Sequence, residues 1–280
     1  MKNRIKLDPA TIVIGIFFVI AAIFLMMPFY FMFLSSLKPG TEILRLGLSF
    51  KIEPDVMSFN NYNALNTYRD GIYWAWYKSS LTVMLLQTAV GLFFASIVGY
   101  ALAMYNFRGK TLLFGLVLLM MTTPMEILML PLFLEMQKLH LYGSIWSVIL
   151  PQITAPLPVF FFRQYLVGLP KDYLDAARVD GCTEYGIFFR IIMPLMKPSF
   201  AAMGIFVGMN SWNAFILPVL LLAKENRTLP VFLETLLSPY KNNYDLLIVG
   251  AVFSVIPILI LFAMFQRHFI AGMTAGGVKE

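Results

Sequence analysis

Between residues 10 and 37 the chain carries no charged side chain. An α-helix rises about 1.5 Å per residue, so roughly 20 residues cross the ~30 Å hydrocarbon layer of a bilayer. Comparable runs recur at 79–105, 143–163, 198–223 and 246–266, with only Arg163 at the edge of one; a further run at 111–134 is interrupted by Glu126 alone. Charged residues make up 13% of the chain and the mean hydropathy is +0.76, against about 25% charged residues in a soluble domain. Lipid offers no partner to a backbone N–H or C=O, so segments of this kind span as helices. The pattern predicts an all-α integral membrane protein with six transmembrane helices over these ranges, forming one transmembrane domain across 1–280.

Positive charge orients the spans, because short cytoplasmic links are rich in Lys and Arg. Lys2, Arg4 and Lys6 precede the first span, Arg108 and Lys110 follow the second, and Arg163, Lys171, Arg178 and Arg190 follow the fourth; Arg267 follows the sixth. All fall on one side if there are six spans, which puts both termini in the cytoplasm. The first run is far longer than the apolar part of a cleaved signal peptide and is read as a span. A sequence pI near 9.3 is then a matter of topology, not of nucleic-acid binding. The one cysteine, Cys182, excludes an internal disulfide and has no nearby His or second Cys with which to hold a metal.

Against this background the segment 170–194 stands out. Asp175, Arg178, Asp180, Glu184 and Arg190 lie together between two apolar runs, and at about 2.5–3.5 kcal/mol per charge at mid-bilayer their burial in lipid would cost roughly 12 kcal/mol or more. The segment belongs in water or against a protein. Pro170 suits the opening of a short helix, with Asp172 near its N-terminal end and Arg178 near its C-terminal end. Gly181 suits a left-handed turn, Thr183 can cap a second helix, and Pro194 is expected to terminate it. Tyr173, Ala176, Ala177 and Asp180 share one helical face, nearly flat at the alanines, which would admit another backbone closely.

The stretch "DAARVDG", followed by "FFRIIMPLMKP", resembles the EAA loop of ABC importer permeases, with Asp175 standing where Glu is usual. "YALAMYNFRGK", "LPLFLEM", "FFFRQYLVGLP", "SWNAFILP" and the tail "QRHFIAGMTAGGVKE" are similar, in the same order, to the carbohydrate (maltose-type) branch, and in particular to its shorter, six-span inner-membrane subunit. The resemblance implies that 170–194 is a cytoplasmic two-helix coupling hairpin, with Asp175, Ala176, Ala177, Asp180 and Gly181 in the motif that docks on an ATPase. It implies that Gly272, Gly276, Gly277 and Lys279 of the tail reach that ATPase. The implied partners are a second permease subunit forming a heterodimer, two cytoplasmic ATPase subunits that bind ATP and Mg, an extracellular solute-binding protein, a sugar or oligosaccharide substrate and membrane lipid. The chain itself would hold no cofactor and catalyse nothing, and would lie in a bacterial cytoplasmic membrane.

The residues that could line a pathway are few. Pro124 and Pro131 flank Glu126 and predict a broken helix. Asn210, Trp212 and Asn213 fall midway through 198–223; asparagine amides pair with sugar hydroxyls and an indole face stacks on a sugar ring, although Asn and Ser also bond neighbouring helices. Gln87 and Thr88 are weaker candidates. Gly109-Lys110-Thr111 lacks the earlier glycine and the preceding strand of a phosphate-binding loop, and the sequon at Asn226 is read as coincidence. An ion-driven secondary transporter would require paired ionisable groups at the midplane and an inverted repeat; a non-transporting scaffold would leave the flat helical face and the asparagine pair without a purpose.

Overall fold

The computed structural model describes residues 8–46, 51–170, 172–237 and 242–277, which are helical with no strand among them. In chain order the helices are α1 (Pro9–Ser36), α2 (Gly40–Leu46), α3 (Asn60–Thr67), α4 (Ile72–Met104), α5 (Lys110–Thr122), α6 (Met125–Lys138), α7 (Trp146–Ile149) and α8 (Pro156–Val167). They continue as α9 (Asp172–Val179), α10 (Glu184–Ile187), α11 (Met193–Leu195), α12 (Lys197–Trp212), α13 (Ile216–Leu221), α14 (Leu229–Thr235) and α15 (Tyr244–Gly277). A π-helical turn, Phe188–Ile192, joins α10 to α11.

Among the described residues, α1, α4 and the part of α15 from Tyr244 to Gln266 are each long and apolar enough to cross a membrane. Two bent pairs bring the number to five if each counts as one span: α5 with α6, at 105°, and Glu184–Leu195 with α12, at 74°. Prolines account for most departures from the expected spans. Thr123, before Pro124, is driven into extended backbone (φ −80°, ψ 119°), and the chain turns there. Pro131 lies inside α6 without ending it. The run 143–163 is not one helix: α7 passes into a 3-10 turn, Leu150–Gln152, and α8 restarts at Pro156 after an extended Ala155. The run 198–223 also breaks, since Asn213 caps α12 and α13 begins at Ile216. Conversely, α4 starts seven residues before the expected 79 because Tyr73 and Trp76 are buried against Phe232.

Contacts divide the chain into two compact units, one of residues up to Gly71 with Thr235–Val255, the other of Ile72–Glu234 with residues from Ile256. In the first unit, the end of α1 is secured by Asn61, whose amide donates to the carbonyls of Ser36 (3.0 Å) and Lys38 (2.8 Å), acceptors a helix terminus would otherwise leave open. Ser36 Oγ bonds Tyr62 OH at 2.7 Å, Tyr62 meets Phe253 edge-on, and Asp245 accepts from the Gly40 N–H at the start of α2.

In the second unit α4 is the central post, packed against α8 and α12. Gly91, Ala95, Gly99 and Ala103 recur every four residues along it and all are buried, the small-residue spacing that lets membrane helices approach closely. At Gly99 an added Cβ would lie 2.8 Å from Phe162 Cβ and 3.0 Å from the Arg163 backbone nitrogen. Ser211 on α12 bonds Gln87 on α4 at 2.9 Å, both buried. At one end of α4 a buried cluster of Tyr100, Leu102, Phe162 and Leu166 continues into Leu174, Ala177, Ile187 and Ile192 of the charged segment. At the other end Val83, Met136, Val148, Ile149, Leu217 and Leu221 form a second cluster. Hydrogen bonds close it: Gly143 N to Leu221 O (2.8 Å), Asn226 Nδ2 to Gly143 O (2.8 Å) and Ser79 Oγ to Asn226 O (2.6 Å). The sequon asparagine is thus a structural tie.

Gly99→Leu should lower stability by about 1–3 kcal/mol through overpacking against α8. Gly204→Ala, where the new methyl would meet only Leu92 Cδ1 at an ordinary 3.8 Å, should leave it unchanged or raised. Thermal unfolding of the two detergent-purified variants checks the contrast; equal melting temperatures would remove the crossing point assigned to Gly99.

Candidate functional site

The charged segment folds as two short helices around a tight turn. α9 is described from Asp172; Pro170 is not itself helical, and Lys171 lies outside the described residues. Gly181 takes φ +78°, its N–H bonds Arg178 O and the Cys182 N–H bonds Ala177 O, both at 3.0 Å, which is the paired closure of a Schellman motif. Thr183 caps α10 by accepting from the Gly186 N–H at 3.2 Å. Pro194 does not terminate this helix. The π-helical turn immediately before α11 widens the coil and carries the chain past the residue that lacks an N–H, to Leu195.

The four residues read as one flat face are divided between two sides. Ala177, with Leu174, is buried in the core cluster, while Tyr173, Ala176 and Asp180 are exposed. The reason is the amphipathic period of α9, which turns Leu174 and Ala177 inward together at i and i+3. On the outer side Val179 is 88% and Tyr185 81% exposed, on opposite flanks of the Gly181 turn.

Polar contacts brace the turn. Arg178 grips Glu184 with Nε on Oε1 (2.8 Å) and Nη2 on Oε2 (3.3 Å), and its Nη1 reaches Asp175 Oδ1 at 3.2 Å. The Tyr105 hydroxyl, just past α4, donates to Glu184 Oε2 and lies 3.3 Å from Tyr100 OH. Lys110 Nζ donates to the carbonyl of Tyr105 at 2.8 Å, so the lysine of the Gly-Lys-Thr stretch caps the end of α4. The Arg178 guanidinium, then the Tyr105 hydroxyl, hold the Glu184 carboxyl below the usual carboxylate range. Burial first, and the bond to Glu184 next, push the Tyr105 phenol up. A lowered carboxyl contributes above the ordinary carboxylate range and loses its contribution as pH falls through its own lower value, so the brace holds at neutral pH. The sequence placed Arg178 at the helix end and Glu184 among the charged residues of the segment, but neither their pairing nor Tyr105 was legible in it; the pairing is across a turn and between helices, where spacing carries no signal.

The candidate pathway residues are not brought together. Asn210 and Asn213 are exposed on the last turns of α12, and each donates its amide to its own helix, to Phe206 O at 2.8 Å and to Met209 O at 2.9 Å. They are therefore not bonds between helices. Trp212 is 2% exposed and meets Tyr77 edge-on with ring centroids 5.5 Å apart, so in this structure its face is not open for stacking. Glu126 is exposed in the first turn of α6, next to the bend. A cleft of about 930 Å³ lies elsewhere, between α4, α12 and the Ile256–Phe265 stretch of α15. Its lining is nearly all apolar and includes Thr88 and Lys197 but none of these four. Gly276 and Gly277 are the last residues of α15, and Lys279 lies outside the described residues. No cluster of metal-ligating side chains occurs among the described residues.

Comparison with known proteins agrees with this architecture. A model of the family described as "Binding-protein-dependent transport system inner membrane component" matches residues 71–275. The arabinooligosaccharides transport system permease protein AraQ of Bacillus subtilis is 52% identical over 96% of this chain and 95% of its own. The AraQ of Halalkalibacterium halodurans is 49% identical over 94% of each, and the lactose transport system permease protein LacG of Rhizobium radiobacter 30% over 93% of each. The crystal structure of a bacterial ABC transporter involved in the import of the acidic polysaccharide alginate shares the fold, with a TM-score of 0.77 at 22% identity over 94% of this chain and 98% of that one. With its helical core, its braced turn and a match across most of its length, this chain belongs to the inner membrane components of binding-protein-dependent transport systems, the permeases of ABC importers.

Proposed function

We propose that this chain is one of two paired permeases in an ATP-driven importer of oligosaccharides, of the arabino-oligosaccharide class. The observation that carries this reading is the braced, outward-facing turn at 172–195 in a chain whose most similar quoted relatives bear arabinooligosaccharide names. The spans are six: α1, α4, α5 with the bend into α6, the interrupted run of α7 and α8, α12 with α13, and α15. Both termini and the α9–α10 hairpin face the cytoplasm, in keeping with Arg108, Lys110, Arg163 and Arg178 on that side. A second permease completes the pathway, a solute-binding protein delivers sugar from outside, and two ATPase subunits bind ATP and Mg.

In this reading the hairpin is a foot. Val179, Tyr185, Tyr173 and Ala176 meet the ATPase, Asp175 and Asp180 add charge at the rim, and Leu174, Ala177, Ile187 and Ile192 seat the foot on the ends of α4 and α8. Because the seat is close-packed, closure of the ATPase pair tilts the helices with it instead of deforming the loop, and alternating access follows. Asn210 and Asn213, exposed and bonded to their own helix through the amide nitrogen, offer their amide oxygens to sugar hydroxyls; buried Trp212 shapes the α4–α12 contact beside them. An ion-driven carrier has less support, since Glu126 is exposed in the first turn of α6.

The direct test is to tag the chain in its native membrane, extract it in mild detergent and identify the copurifying subunits. A second permease and an ATPase in near-equal amounts is the expected result; the chain emerging alone would sink the importer reading. Val179→Asp should remove the ATPase from that complex. Gly181→Val should abolish sugar-stimulated ATP hydrolysis while the chain still inserts, since a branched side chain at φ +78° costs about 1–3 kcal/mol and unmakes the turn; near-normal stimulation would remove the coupling role. Asn213→Ala should reduce arabinotriose uptake several-fold with assembly intact, and unchanged uptake would take Asn213 off the pathway.

A further inference from the structure

Helices α9 and α10 of the hairpin meet the helical core through an apolar seat and through a polar contact, and further along the Leu195 carbonyl accepts from the Tyr165 hydroxyl of α8 at 3.0 Å. Leu174, Ala177 and Ile187 fill the core cluster, a close-packed contact that transmits a push but, being non-directional, sets no particular orientation of α9. Glu184 makes the polar contact. Its carboxylate receives the guanidinium of Arg178 on one side and the hydroxyl of Tyr105 on the other. Arg178 is tied in turn to Asp175, in the motif that carries the proposed ATPase contact. Tyr105 is held at both ends, its carbonyl by Lys110 Nζ and its hydroxyl by Glu184 beside Tyr100 OH, and its ring stands edge-on to Tyr100 (5.3 Å, 88°). A continuous polar line therefore runs from Asp175 through Arg178 and Glu184 to Tyr105, at the junction of α4 and α5.

We propose that Tyr105 and Glu184 form a strut that carries hairpin movement into α4, with Tyr105 as the positioning residue. The proposal rests on the reading of the hairpin as the ATPase-docking foot. Hydrogen bonds are directional, so the strut adds to the push carried by the apolar seat a fixed orientation of α9 relative to the end of α4. A charge-assisted bond is also about twice as strong as a neutral one, and Glu184 is the one member shared by both halves of the line. Tyr105 touches neither sugar nor nucleotide; it sets how much sugar moves per ATP.

The test uses the complex purified through a tag on this chain and reconstituted in proteoliposomes, with ATP hydrolysis and radiolabelled arabinotriose uptake measured together. Tyr105→Phe keeps the ring and loses only the hydroxyl. It should lower sugar moved per ATP about tenfold, the factor that losing one charge-assisted hydrogen bond is worth, with the amount of copurified ATPase unchanged. Glu184→Ala should do the same, and the double variant should be no worse than Glu184→Ala alone, because both remove one strut. If Tyr105→Phe fails to assemble, Glu184→Gln, which keeps shape and loses charge, carries the same expectation. The exposed Cys182, the chain's only cysteine, takes a spin label at the hairpin turn and separates the two ideas. Immobilisation of the label on ATP binding, with an unchanged sugar-to-ATP ratio in the variants, overturns the strut and keeps the foot. A label indifferent to ATP in the unaltered complex overturns the foot and the strut with it.

Discussion

α4 can run in contact with the backbone of α8 only because Gly99 has no side chain, and the rest of the second unit is arranged around that approach. In lipid there is no hydrophobic gain from bringing two apolar helices together, so close packing must supply it. The buried series Gly91, Ala95, Gly99 and Ala103 provides the groove, and Phe162 fills it. Once α8 is seated, its far end and the end of α4 form the floor on which Leu174, Ala177 and Ile187 rest. A hairpin of two turns could not hold its shape alone, since helices this short are marginal in water; it is borrowed rigidity from the post beneath it.

Braced and interrupted segments are divided along the chain. The turn at Gly181 is closed by backbone bonds, braced by Arg178 and Glu184, and seated in an apolar cluster. Away from it, the helical runs are interrupted at Thr123–Pro124, at Ala155–Pro156 and at Asn213, with bends as large as 105°. Each interruption frees backbone groups, which in lipid are tolerated only where protein or water meets them. Asn213 sits at one such break and Glu126 beside another. The polar candidates thus occur where the helices stop, which is where a passage for hydroxyl-rich cargo would need donors and acceptors.

Much of the architecture was legible from spacing and charge. Uncharged runs located α1, α4 and α15, Pro124 announced the bend after α5, and Gly181 and Thr183 predicted the turn and the cap that the structure contains. Pro194 misled because a proline's cost depends on whether the preceding turn can widen, and the π-helical turn at Phe188–Ile192 does so. The flat face of α9 misled because four residues on one helical stripe were read as one surface, while a floor formed by α4 and α8, far away in sequence, claims Ala177. The indole of Trp212 was read as open for the same reason: Tyr77, more than a hundred positions earlier, covers it.

By itself the sequence determined the solvent this protein lives in, the class of helix that solvent demands, and the location of the charged, turn-forming segment 170–194, because all three follow from local composition and from period along a single chain. Only the tertiary structure decided which side of that segment faces outward, which carboxylate Arg178 takes, and that Tyr105 joins Glu184 to the end of α4. Those choices are made between residues distant in sequence, by close packing at Gly99 and by hydrogen bonds whose geometry exists only once α4, α8 and the hairpin are side by side.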